Sequence, residues 1–196
     1  MTRGADRELV GIVGVEPEST RGARDRNAEY RRAKQGVKAA TLALFLELCY
    51  AAAAMTDPSC NACAKTWPRA DHFIADLGIS KVYLHDDQFF AGWTVVVFQR
   101  HATELFHLAP TERMQLMEDV TLVAKALAQA YGATKINYEL LGNQLPHIHW
   151  HLIPRQANDP APLEPVWRVP HTAVLRASLE LRSEIQRIQK AIETAR

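Results

Sequence analysis

Long apolar runs are missing from these 196 residues. The nearest candidate, 39–55, is interrupted by Glu47 and falls short of the ~20 apolar residues that a membrane-spanning helix requires. No membrane partner is expected. An excess of charge of either sign is missing as well: lysine and arginine number 23 against 22 acidic residues, a net charge of +1. That balance provides no broad basic surface for a nucleic-acid polymer. Cysteine is scarce, and Cys49, Cys60 and Cys63 cannot all pair, so a disulfide scaffold is excluded and a reducing, cytoplasmic setting is expected. Internal repeats are absent. A signal peptide around 38–54 would need an n-region of about forty residues, far longer than such segments carry.

What is present is enough for one domain with tails. Residues 1–34 are rich in Arg, Glu, Asp and Gly without an apolar period, so they lack the material for a core and are expected to be disordered. Alanines and leucines over 35–54 favour a helix. The composition changes abruptly at Met55, which is read as the biological start. The expected organisation is an N-terminal extension over 1–55, a folded domain over 56–160, and an extended segment with a helix over 161–196.

Within the domain, 69–77 is expected as a short helix. The segments 81–84 and 94–100 read as strands of a hairpin, the second carrying the β-branched run Thr94-Val-Val-Val97. Pro110-Thr111 opens a long helix, with Thr111 as its cap. Leu116, Val120, Val123, Leu127 and Tyr131 recur at helical spacing, and Gly132 ends it. A strand over 135–140 follows, then the strand that Pro146 introduces. Prolines as far as Pro170 imply an extended crossing segment, and 173–194 a final amphipathic helix. This order indicates an α+β fold with an antiparallel sheet of about five strands.

The most informative run is His147-Ile-His149-Trp-His151-Leu-Ile. In a strand the three imidazoles would share one face and Ile148, Trp150 and Leu152 the other. Two chemistries suit such a row. Imidazoles are common metal ligands, but three consecutive same-face positions span about 14 Å, too long for one zinc with bonds of roughly 2.0 Å. Alternatively the central imidazole attacks a phosphorus centre while its neighbours, with the amides of Asn143 and Gln144, bind the oxygens under attack. That second chemistry uses every residue of the motif.

The run also resembles the signature of the histidine triad family of nucleotidyl hydrolases and transferases. Gly92-Trp-Thr-Val-Val-Val97 with Arg100-His101, Phe106-His-Leu-Ala-Pro110, and Asn137 followed by Gly142-Asn143 extend the likeness over about half the chain. The resemblance implies that His149 is the nucleophile, that His151 contacts phosphate and assists the leaving group, and that His147 orients the site. It implies further that Asn137, Gly142, Asn143 and Gln144 contact substrate. It also implies a homodimer joined through the long helix and an edge strand, and a nucleotide substrate such as a dinucleoside polyphosphate or an adenosine phosphoramidate. The covalent route requires no cofactor. Departures are visible too: Gly142-Asn143-Gln144 lacks the hydroxyl residue that often precedes the triad, and Trp93 stands where a histidine often follows the glycine.

Cys60-Asn-Ala-Cys63 is compatible with reduced thiols, a redox pair or half of a zinc site. The resemblance implies His101 and His147 as two further ligands of a structural zinc. Among the remaining candidates, His85 and Gln88 are placed near the base or ribose. His107 and His171 are read as surface histidines, and Asp86-Asp87 as a solvated turn rather than a magnesium pair. Arg155 either neutralises phosphate or caps the strand. Rival readings are a nucleotide-binding sensor module and a zinc-dependent hydrolase.

Overall fold

The computed structural model describes residues 56–196. The expected extension over 1–55, with its helix over 35–54, Cys49 and the start at Met55, lies outside the described residues. Five strands form one antiparallel sheet: β1 (Phe73–Asp76), β2 (Ser80–Leu84), β3 (Thr94–Phe98), β4 (Lys135–Glu139) and β5 (His149–Arg155). Their spatial order is β1-β2-β3-β5-β4. Among the described residues two helices, α1 (Pro110–Tyr131) and α2 (Ser178–Ala195), pack with the sheet in the expected α+β architecture.

The central strand β3 is buried along its whole length, which is why it reads as an unbroken β-branched run rather than an alternation. Strand β5 keeps the alternation. Ile148 and Leu152 join Val82, Leu84, Val96, Phe98 and Ile136 in the main core, where they meet Leu116, Val120, Val123 and Leu127 of α1. Burying each such side chain contributes about 1.5–3 kcal/mol. Helix α2 adds Leu181, Ile185, Ile188 and Ile192 to the same cluster, a stripe at spacings of three and four. The opposite face of the sheet carries His149 and His151, paired across the ladder with Val97 and Val95. That face also holds a smaller cluster of Phe90, Trp93, Ile153 and Val166.

Several local expectations shift. The segment 69–77 is not a helix: a single turn, Ala70–His72, leads into β1, because pairing with β2 and burial of Ile74 override local propensity. The N-cap of α1 is Ala109 rather than Thr111. Pro110 takes the first helical position, where no amide hydrogen is needed, and the Glu112 carboxylate accepts the Ala109 N–H at 2.9 Å. Gly132 does end the helix, in the left-handed conformation with φ of 59°. Helix α2 starts only at Ser178, since the chain before it runs extended against the β2–β3 loop: Gln88 N–H donates to Val174 O, and Val174 N–H to Asp87. The triad strand begins at His149, leaving His147 just ahead of the ladder.

Candidate active site

A cleft of about 420 Å³ opens on the histidine face of the sheet. Its lining includes His149 and His151 from β5, Gly142, Asn143 and Gln144 from the β4–β5 loop, and His85 from the β2–β3 loop. Asn61, Trp67 and Trp167 close the sides. Six of the residues singled out from sequence are thereby brought together. His147, Asn137 and Gln88 are not in the lining. The Asn137 side chain accepts a hydrogen bond from Arg155 at 2.7 Å. Gln88 is buried and braces its own loop, its amide bonding to His85 O and Trp93 O and its oxygen accepting Gly92 N–H.

Each triad ring has its protons placed by a different partner. Nδ1 of His149 lies 2.7 Å from the His147 carbonyl oxygen, which can only accept, so the proton sits on Nδ1 and Nε2 keeps a free lone pair. Nε2 of His147 lies 2.7 Å from the Phe98 carbonyl oxygen, so this ring is protonated on Nε2 and presents an unprotonated Nδ1. His151 is held the other way round. The Trp93 indole N–H, which can only donate, points at its Nδ1 from 3.1 Å, leaving the proton on Nε2. The rings of His149 and His151 stand 5.0 Å apart, edge to face. Burial lowers the pKa of all three; for His151, with His149 and His85 adding to the effect, it falls to about 3. The imidazoles of His149 and His151 that line the cleft are therefore neutral at pH 7.

Aromatic rings frame these groups. Trp67 meets His149 edge-on at 5.0 Å, and Trp167 meets His151 at 5.1 Å. His85 stacks flat on Trp93 at 4.0 Å and comes within 5.7 Å of His151. The parts played by Trp67 and Trp167 are absent from the sequence reading. Both lie in segments with no periodic pattern, and a tryptophan among prolines, as in Pro165-Val-Trp167, was the one available signal.

Cys60, Cys63, His101 and His147 form a second cluster, with one ligand atom from each lying within 4.8 Å of the others. Nδ1 of His147 is 3.5 Å from Cys60 Sγ and 3.7 Å from Cys63 Sγ, and Nδ1 of His101 is 3.4 Å from Cys63 Sγ. Tetrahedral Cys₂His₂ coordination has sulfur–nitrogen edges of about 3.6 Å. The unprotonated Nδ1 of His147, fixed by the Phe98 carbonyl, has the orientation a metal ligand needs. The four residues fit a zinc-sized ion.

The remaining expectations resolve at this level. Arg155 does not face the cleft: it is buried, ion-pairs with Asp159, bonds to Asn137 and the Glu164 carbonyl, and lies over Phe90. It ties the end of β5 to the following segment. His171 is half-buried rather than a surface histidine, with Nε2 2.7 Å from Asp87. Asp86 approaches His72 instead, at 3.3 Å, so the two carboxylates diverge. His107 is exposed.

Comparison with known proteins points the same way. The family model for the HIT domain matches residues 69–158. A histidine triad protein of Sinorhizobium meliloti is 34% identical, with a TM-score of 0.56, covering 60% of this chain and 87% of its own. One from Bradyrhizobium japonicum is 31% identical, with a TM-score of 0.57 and coverage of 61% and 89%. A zinc-bound histidine triad family protein from Mycobacterium smegmatis shares the fold at 19% identity, with a TM-score of 0.53 and coverage of 69% and 94%. No curated protein matches. Among the described residues, no helix is long and apolar enough to cross a membrane.

Proposed function

The chain belongs to the histidine triad family, and from that premise we propose that it is a nucleotidyl hydrolase or transferase acting on a nucleoside 5′-phosphate derivative. The substrate belongs to one of two classes, a dinucleoside polyphosphate or an adenosine phosphoramidate. The observation that carries this reading is the His149–His147 bond: it leaves an uncharged Nε2 lone pair on a ring that lines the cleft. Nε2 attacks the α-phosphorus, the bond to the leaving group breaks, and water then cleaves the phosphorus–nitrogen bond. Nδ1 keeps its proton throughout, and the His147 carbonyl stabilises the positive ring of the intermediate. His151, through Nε2–H, and the amides of Asn143 and Gln144 supply donors to phosphate oxygens, with His85 beside them.

A zinc ion held by Cys60, Cys63, His101 and His147 would be structural. Four protein ligands leave no open position for a water or substrate, and the set includes neither His149 nor His151. When bound, it would fasten the 60–67 loop to the start of the triad segment. A homodimer is supported by exposed apolar side chains on α1 and the edge strand β4, namely Met114, Met117 and Tyr138. The free thiols Cys60 and Cys63 support a cytoplasmic setting.

The proposal is tested by His149→Ala, a truncation on the cleft face that spares the main core. Turnover of any nucleotide the wild type cleaves is expected to fall by about 10³-fold or more. Wild-type rates in that variant would sink the proposal.

A further inference from the structure

Trp93 is buried, 2% exposed, and its indole N–H has one partner, Nδ1 of His151. Indole donates and never accepts. While that bond stands, the His151 ring cannot take a second proton, because Nδ1 is already occupied by the donor. Its remaining proton, on Nε2, belongs to a neutral imidazole, far too weak an acid to surrender it to a leaving group. His151 is thereby restricted to offering a hydrogen bond.

Nothing else in the cleft replaces the missing acid. Among the described residues the lining contains no carboxylate, ammonium, phenol or hydroxyl side chain; its titratable groups are His85, His149 and His151. His149 is the attacking ring, and its Nδ1–H is held by a carbonyl. The carboxylate nearest in register to His151 is Glu139 on β4, and it accepts the Trp167 indole N–H. His85 lies flat against Trp93, with Nδ1 3.2 Å from both the amide and the carbonyl of Asp87. Burial also lowers the pKa of His85, so it too is uncharged at neutral pH.

Resting on the nucleotidyl-transfer reading, we infer that Trp93 makes this a site without a general acid, which cleaves nucleotides whose leaving group departs as an anion and discriminates against those whose leaving group must be protonated. In the favoured reaction the Nε2 lone pair of His149 forms the bond to the α-phosphorus. The bond from phosphorus to the bridging oxygen breaks, and its electron pair leaves on that oxygen as a phosphate or polyphosphate anion, needing no proton. Water then attacks the same phosphorus, the pair of the phosphorus–nitrogen bond returns to Nε2, and the water's proton goes to solvent. A phosphoramidate differs at one step. Its amine leaves only with a proton, which this site has no group to deliver. The phosphoanhydride class, dinucleoside polyphosphates included, is therefore the substrate class of choice.

The test compares matched pairs on the full wild-type chain: diadenosine tetraphosphate against an adenosine 5′-N-alkylphosphoramidate, with a series of adenosine 5′-aryl phosphates of decreasing phenol pKa. A general acid is worth about 10²–10⁴-fold, so the anhydride is expected to exceed the amidate in kcat/KM by about 100-fold or more. Aryl ester rates should climb steeply as the phenol becomes more acidic. Equal or faster cleavage of the amidate, or a flat aryl series, overturns the inference while leaving the nucleotidyl-transfer reading intact. Cleavage of none of them, with no adduct on His149, overturns that reading and the inference together. In Trp93→Phe, which keeps a ring but removes the N–H, Nδ1 of His151 is left open to a proton, so the ring can serve as an acid as the pH is lowered. The selectivity for anhydride is expected to fall at least tenfold and a new pH dependence to appear; unchanged selectivity in folded Trp93→Phe contradicts the role given to the indole.

Discussion

Nδ1 of His149 sits 2.7 Å from the carbonyl oxygen of His147, two residues earlier in the same segment. The ring of His147 meanwhile turns to Cys60 and Cys63. One residue thus orients the proposed nucleophile with its backbone and reaches the cysteine cluster with its side chain.

That link makes the cluster matter to the cleft. Cys60→Ser is expected to abolish stoichiometric zinc, lower the melting temperature and weaken the Trp67–His149 contact, which lies 5.0 Å across at the end of the same loop. Metal analysis and tryptophan fluorescence check this. Protein grown with zinc that contains none in the wild type would contradict the site.

Stability should respond to acid in a defined sense. The folded-state pKa of His151 is lowered from 6.5 to about 3, and burial also lowers those of His147, His149 and His85. Between those values the unfolded chain binds protons that the folded chain refuses, so stability falls as pH drops from about 6.5 towards 3. His171 works against this. Its pKa is raised by the Val169 carbonyl and by Asp87, so its contribution is full below pH 6.5 and lost as pH rises through the raised value. Urea midpoints between pH 4 and 7.5 should rise with pH, and more steeply in His171→Gln.

Asp87 straps the C-terminal segment to the β2–β3 loop through His171 and the amide of Val174, and also accepts the Phe89 amide within its own loop. Asp87→Ala is expected to cost about 2 kcal/mol of stability, since each bond to a charged group is worth about 1.5–3 kcal/mol and water replaces part of the loss. Loosening the segment that carries Trp167 should also raise KM more than it lowers kcat. Limited proteolysis and steady-state kinetics check both effects.

The helix–strand pattern and the triad were legible because periodicity and side-chain type encode them directly. Val120 and Leu127 repeat as a helix face must, and the alternation of His149, Trp150, His151 and Leu152 assigns each to its side of β5. The misassigned segment at 69–77 was not, since β1 owes its form to pairing with β2 rather than to its own residues. Asn137 likewise could not be separated from the cleft by sequence, because its partner Arg155 is eighteen positions away on the neighbouring strand. Nor could spacing reveal that Trp93 and His151, 58 residues apart, set a proton's position between them.

Gly92 tests the packing behind the cleft. Its φ is 86°, and an added Cβ would lie 2.6 Å from the Tyr131 ring and 2.8 Å from Pro154. Gly92→Ala is expected to destabilise the fold by at least about 2 kcal/mol, through backbone strain and overpacking together. Thermal denaturation reads the change directly; a neutral result would mean that α1 and β5 are less tightly held there.

The covalent step is the centre of the account, and rapid acid-free quenching followed by intact-mass spectrometry of the full chain with diadenosine tetraphosphate tests it most directly. The expected result is a species heavier by one adenylyl group, mapped by fragmentation to His149 and absent in His149→Ala. Turnover by the wild type with no such species at any time point, together with undiminished turnover by His149→Ala, would contradict it.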